Sequence, residues 1–67
     1  MSVIKVIEVL AESKYGWEAA AEAAVKEASK TIKNIQSVYV TNMRAMVEND
    51  EVVCYHINAK VAFEIDS

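Results

Sequence analysis

From Val53 to Ile65 the sequence alternates between two kinds of residue. Its odd positions are Val53, Tyr55, Ile57, Ala59, Val61, Phe63 and Ile65, and its even positions are Cys54, His56, Asn58, Lys60, Ala62 and Glu64. Successive side chains of a strand point to opposite faces of its sheet. The pattern therefore predicts one strand with a wholly apolar face and a mostly polar one. The apolar face requires a lid, and the polar face is where chemistry or contact should be sought.

Little chain is left to supply that lid. The 67 residues allow one domain, 1–67. At this size apolar burial barely offsets ordering entropy of ~1.5 kcal/mol per residue, and small domains recover the difference through disulfides, metals or oligomerisation. Cys54 is the single cysteine, so no internal disulfide forms, and one cysteine with one histidine does not complete a closed zinc site. Oligomerisation is the device left, and it suits a composition that is 54% hydrophobic. The net charge of −3 offers no basic footprint for nucleic acid. No apolar run approaches the ~20 residues of a membrane span, and Met1-Ser2-Val3-Ile4-Lys5 is not a signal peptide. The expected setting is the cytoplasm, where a lone cysteine stays reduced.

Upstream of the alternating stretch, Val3 to Ala11 is rich in β-branched residues and predicts a first strand. Glu12 to Gly16 breaks it, with Ser13 as a helix cap. From Tyr15 to Ile32 the composition turns to Ala, Glu and Lys, with Trp17, Ala20, Ala21, Ala24, Val25, Ala28 and Ile32 on one helical face. Glu18 and Glu22 come early and Lys26 and Lys30 late, which suits the helix dipole, and Glu22 and Lys26 form an i,i+4 pair. Trp17 is expected to anchor the core or an interface. Ser37 to Glu48 predicts a second strand, and Asn49-Asp50 a two-residue hairpin turn, since both residue types tolerate positive φ. With Glu48 opposite Glu51, that turn sets Met46 against Val53, Arg44 against Tyr55, Asn42 against Ile57 and Val40 against Ala59. The other face then pairs Met43 with His56, Thr41 with Asn58 and Tyr39 with Lys60, with Ser37 further along. Arg44 and Asn42 fall on the nominal core face, which signals a bulge or a subunit contact there. The fold class is α+β: a βαββ chain with a three-stranded antiparallel sheet packed on one helix.

This order, with Ser13, Gly16-Trp17-Glu18-Ala19-Ala20, Ala28-Ser29-Lys30-Thr31-Ile32 and a closing Lys60-Val61-Ala62-Phe63-Glu64-Ile65, resembles the dodecins over Val3 to Asp66. The resemblance implies a hollow homododecamer that binds and stores flavin (riboflavin or FMN) between subunits and is not an enzyme. Family members stack flavin rings between symmetry-related tryptophans beside a glutamine, and some hold coenzyme A or metal ions. Carried over by residue, the tryptophan position is Ser37, the glutamine position is His56, Arg44 matches an arginine common in the family, and Ala45 replaces a glycine. The Trp17-Glu18 helix start and the missing strand tryptophan look more like the subgroup described as calcium-binding. The resemblance thus leaves two ligand classes open: a small aromatic ligand, and calcium or another cation.

The ligand-binding candidates are Ser37, Tyr39, Arg44 and His56. Tyr39 is a substitute aromatic platform or an exposed strand tyrosine. His56 offers one donor and one acceptor as a neutral imidazole, and serves a ring edge, a metal or a subunit contact. Cys54 lies two residues from His56 on one face, but two ligands do not make a site. Glu48, Asn49, Asp50 and Glu51 carry the hard oxygens calcium prefers without the spacing of a dedicated loop. No nucleophile-base-acid order or phosphate-cradling glycine loop is present.

Overall fold

The structure, a computed structural model, describes residues 3–65; Met1, Ser2, Asp66 and Ser67 of the expected domain lie outside the described residues. The chain runs β1 (Val3–Ser13), α1 (Trp17–Ala28), β2 (Ile35–Glu48) and β3 (Glu51–Ile65). The alternating stretch forms β3, which lies in the centre of an antiparallel sheet of order β1-β3-β2. One face of β3 carries Ile57, Ala59 and Val61, each no more than 1% exposed. The helix lies on that face. Its buried residues are Ala20, Ala24 and Ala28, whose single methyl groups let the helix axis approach the sheet closely. Ala20, Ile57 and Ala59 form the centre of the core, with Val9, Ala11, Trp17, Ala21, Val38 and Val40 around it.

β1 runs two residues beyond the expected Ala11, because Glu12 and Ser13 go on pairing with His56 and Tyr55. Ser13 therefore does not cap the helix. Its hydroxyl instead accepts from the Tyr15 amide at 3.0 Å, and the cap position is Gly16, which makes no side-chain cap bond. Gly16 has φ +137° and ψ 172°, a conformation open essentially to glycine alone. The helix is also shorter than Tyr15–Ile32. After Ala28 it unwinds through a turn closed by Thr31 and Ile32 amides on the Ala28 carbonyl, and Ile32 falls outside it. The ion pair formed near its end is Glu27–Lys30 at 3.2 Å.

The hairpin turn has positive φ at both Asn49 (53°) and Asp50 (64°), the type I′ geometry of a two-residue loop. Glu48 faces Glu51, and Val40 faces Ala59 as expected. Between them the register differs by one. Val53 is an extra residue on β3, so Met46 pairs with Cys54, Arg44 with His56, Met43 with Ile57 and Asn42 with Asn58. Thr41 is then extra on β2 and restores the original register. Its hydroxyl donates to the Asn58 carbonyl at 3.2 Å, which pins the bulge. The physical reason is the one the sequence signals: without the shift, Arg44 and Asn42 would project toward the helix. A third shift at Gln36 starts β2.

A helix of twelve residues is ~18 Å long, whereas β2 and β3, of 14 and 15 residues, reach ~45–50 Å. The lid covers only part of the sheet. The chain accordingly extends 52 Å along its long axis, and Met43, Val47, Val52 and Val53 lie exposed where the hairpin outruns the helix.

Trp17 bridges the covered and uncovered parts. Its ring meets Tyr55 edge-on, with centroids 4.9 Å apart, and its indole N–H donates a long 3.4 Å bond to the Arg44 carbonyl. Gly16→Ala is expected to cost ~1–3 kcal/mol for backbone reasons alone, since no atom lies within 4 Å of the added methyl. Chemical denaturation at fixed protein concentration measures this. Trp17→Ala, at a half-buried position, is expected near the lower end of the ~3–5 kcal/mol for deleting a core aromatic, with Trp17→Phe retaining most of it. An unchanged unfolding midpoint in Trp17→Ala would show that the Tyr55 contact contributes nothing.

Candidate functional site

The outer face of the sheet, away from the helix, gathers the polar side chains. Strand pairing arranges them in rows that cross β1, β3 and β2 in turn: Glu12–His56–Arg44, then Leu10–Asn58–Asn42, then Glu8–Lys60–Tyr39, then Val6–Ala62–Ser37. All four expected site residues belong to this face. Arg44 reaches it only because of the Val53 bulge.

The rows also show which candidates meet. Arg44 and His56 are direct cross-strand partners and share a hollow of ≈ 280 Å³ with Glu12 and Leu10. Tyr39 lies two rows further along, 68% exposed, and Ser37 three rows along, also exposed. From His56 to Ala62, the partner of Ser37, the strand rises ~20 Å. One chain thus holds these residues on a common surface but not around a common cavity.

His56 is the best-fixed member. Its Nε2 lies 2.8 Å from a carboxylate oxygen of Glu12, with the imidazole side chain 27% exposed and the carboxylate 66%. Cys54, two residues before His56 on the same face, points its sulfur at the same carboxylate oxygen, 3.8 Å away, and at the Ser13 carbonyl, 3.7 Å away. Glu12, Cys54 and His56 place their donor atoms within 4.8 Å of one another. The sequence reading missed Glu12 because it ended β1 at Ala11. The signal was partial: Glu8 and Glu12 lie on the face opposite Ile7, Val9 and Ala11, but the apolar Leu10 between them interrupts the alternation. Trp17 lies on the opposite face, apart from this group, apart from its bond to the Arg44 backbone.

This trio supplies one carboxylate, one imidazole and one thiol. Calcium takes six to eight oxygen ligands, so the trio does not fit calcium. The exposed Glu48, Asp50 and Glu51 at the hairpin tip are of the right chemistry, with Glu48 directly opposite Glu51. No helix among the described residues is long and apolar enough to cross a membrane.

Comparison with known proteins extends this picture to the whole chain. A calcium dodecin from Mycobacterium tuberculosis is 32% identical over 65 residues, covering 97% of this chain and 92% of the relative. The crystal structure of a calcium dodecin from that organism, described as having a novel calcium-binding site, superposes with TM-score 0.81 at 30% identity, covering 96% of this chain and 91% of the other. A single-residue mutant of the Thermus thermophilus dodecin superposes more tightly, with TM-score 0.92 at 28% identity over 100% of this chain and 98% of the other. The family model for dodecin matches residues 3–66. With its βαββ order, its sheet and its length all matched end to end, the chain belongs to the dodecin family.

Proposed function

We propose that this protein is a non-enzymatic binding and storage protein that works as a homododecamer and holds a small aromatic ligand, flavin in the first instance, between subunits. The observation that carries the reading is the spread of Ser37, Tyr39, Arg44 and His56 along ~20 Å of one exposed face. A ligand that touches both ends of this set must be enclosed by more than one copy. The exposed apolar residues of the protruding hairpin supply a reason for copies to associate. A cytoplasmic setting, with Cys54 reduced, belongs to the same reading, as does coenzyme A as a further candidate ligand that the family resemblance implies.

In this reading Arg44 and His56 provide polar contacts to the ring edge or a phosphate, and Tyr39 the available aromatic surface. Ser37 has no π face where the flavin-binding members carry tryptophan, so stacking of order 1–3 kcal/mol per ring is missing. A second reading is favoured by the calcium dodecin relative: a cation store in which carboxylates such as Glu48, Asp50 and Glu51 meet those of neighbouring subunits.

Light scattering is expected to give a mass near twelve times the 7.4 kDa of the chain, and a monomer at micromolar concentration would end both readings. Riboflavin should bind wild type at micromolar levels or weaker, followed by quenching of its fluorescence. Ser37→Trp should bind it at least tenfold tighter, the equivalent of ~1.4 kcal/mol. If Ser37→Trp assembles without gain while calcium raises the melting temperature over a chelator control, the cation reading takes precedence.

A further inference from the structure

We propose that Glu12, Cys54 and His56 form a binding site for a borderline-soft divalent cation of the zinc class. The site is built across two strands. Cys54 and His56 stand at i and i+2 on β3 and so share its outer face, and Glu12 is the direct cross-strand partner of His56 on β1. Three different donor types converge there: a sulfur, an imidazole nitrogen and a carboxylate oxygen, all within 4.8 Å of one another.

Thiolate and imidazole are the ligands that zinc prefers and that calcium and magnesium avoid. Zinc bonds of ~2.0–2.3 Å in a tetrahedron place ligand atoms about 3.3–3.8 Å apart. The Cys54 sulfur already stands 3.8 Å from the Glu12 oxygen. The His56 nitrogen, at 2.8 Å from that oxygen, has to part from it by about half an ångström. Glu12 is the exposed member and can swing outward, while the thiol and imidazole, within 4.8 Å of each other, close toward the metal by side-chain rotation to about the 3.5 Å that such bonds require. Binding replaces the His56–Glu12 hydrogen bond and the thiol proton with bonds to the metal.

Three protein ligands leave one tetrahedral position open, the pattern of sites that bind an exchangeable ligand rather than of closed structural sites. Thiolate and carboxylate together neutralise a divalent charge, so the occupied site adds no net positive charge beside Arg44, which faces His56 from β2. The hollow shared by Arg44, Glu12 and His56 gives the fourth ligand room, and the guanidinium favours an anionic one. This site shares His56 with the flavin reading and differs from both readings in Glu12 and the Cys54 thiol, which neither of them uses.

The test is titration of the assembled, tag-free full chain with Co²⁺ as a spectroscopic probe, under a non-chelating reductant. One Co²⁺ per chain is expected, with a sulfur-to-cobalt charge-transfer band in the near ultraviolet and tetrahedral ligand-field bands in the visible, all erased by Zn²⁺. Cys54→Ser should abolish the charge-transfer band. Glu12→Gln and His56→Asn should each weaken binding by at least the ~10–100-fold typical of losing even an outer-shell partner. Glu12 is exposed, so Glu12→Gln is expected to fold and assemble as wild type and carries the test if Cys54→Ser does not. Absence of the charge-transfer band in reduced wild type, or Co²⁺ affinity unchanged in Glu12→Gln, would overturn the site. Neither outcome bears on riboflavin binding or on calcium stabilisation.

Discussion

Everything in this fold depends on the contact of an alanine-faced helix with the apolar face of a central strand. Ala20 and Ala59 are both fully buried, and neither has a side chain beyond its β-carbon. Two backbones can approach there only because nothing larger intervenes, and the close approach brings Ile57, Val9, Val38 and Val40 into one cluster. The core is small as a result. It fixes the position of the helix, and through Trp17 it fixes the helix start on β2, but it leaves most of the hairpin arm to find contacts elsewhere. In a chain this short the same economy that lets the fold close also keeps it incomplete.

The architecture was legible because its signals were local and redundant. The alternation of β3, the alanine and glutamate content of α1 and the Asn49-Asp50 turn each identify an element without reference to the others, and together they leave one arrangement. The register was half legible. Arg44 and Asn42 on a nominal core face showed that the simple pairing fails somewhere, but the cost of burying them is met equally by a bulge at several positions. What places the extra residues at Val53 and Thr41 is the balance between pairing near the turn and packing under the helix, and that balance is not local. Ser13 illustrates another limit. Its residue type suits a helix cap and a strand end alike, and the cross-strand partner Tyr55 decides between them.

The candidate site was legible as a face and not as a group. Period-2 reasoning places Ser37, Tyr39 and His56 together on one side of the sheet. It says nothing of which neighbours a third strand will bring, so Glu12 is invisible to it and Cys54 and His56 alone do not make a site. Pairing between β1 and β3 is a long-range property of the chain, and it turns two ligands into three. What singles out Ser37 is the resemblance to the dodecins alone, since no physical argument about a serine would do so.

The bulges have a further bearing on how copies of this chain meet. Both outer strands, β1 and β2, expose an unpaired backbone edge, and an exposed edge is a template for adding strands without limit. An extra residue bends its strand and increases the local twist, so β2, interrupted at Gln36 and Thr41, is not the straight template that stacking another sheet end to end requires. β1 carries charges at Lys5, Glu8 and Glu12 along its length. Edges twisted and charged in this way resist fibre growth, and they favour association through curved surfaces that close on themselves. The irregularity that corrects one arginine inside the chain thereby also works against open-ended addition of strands at the sheet edge.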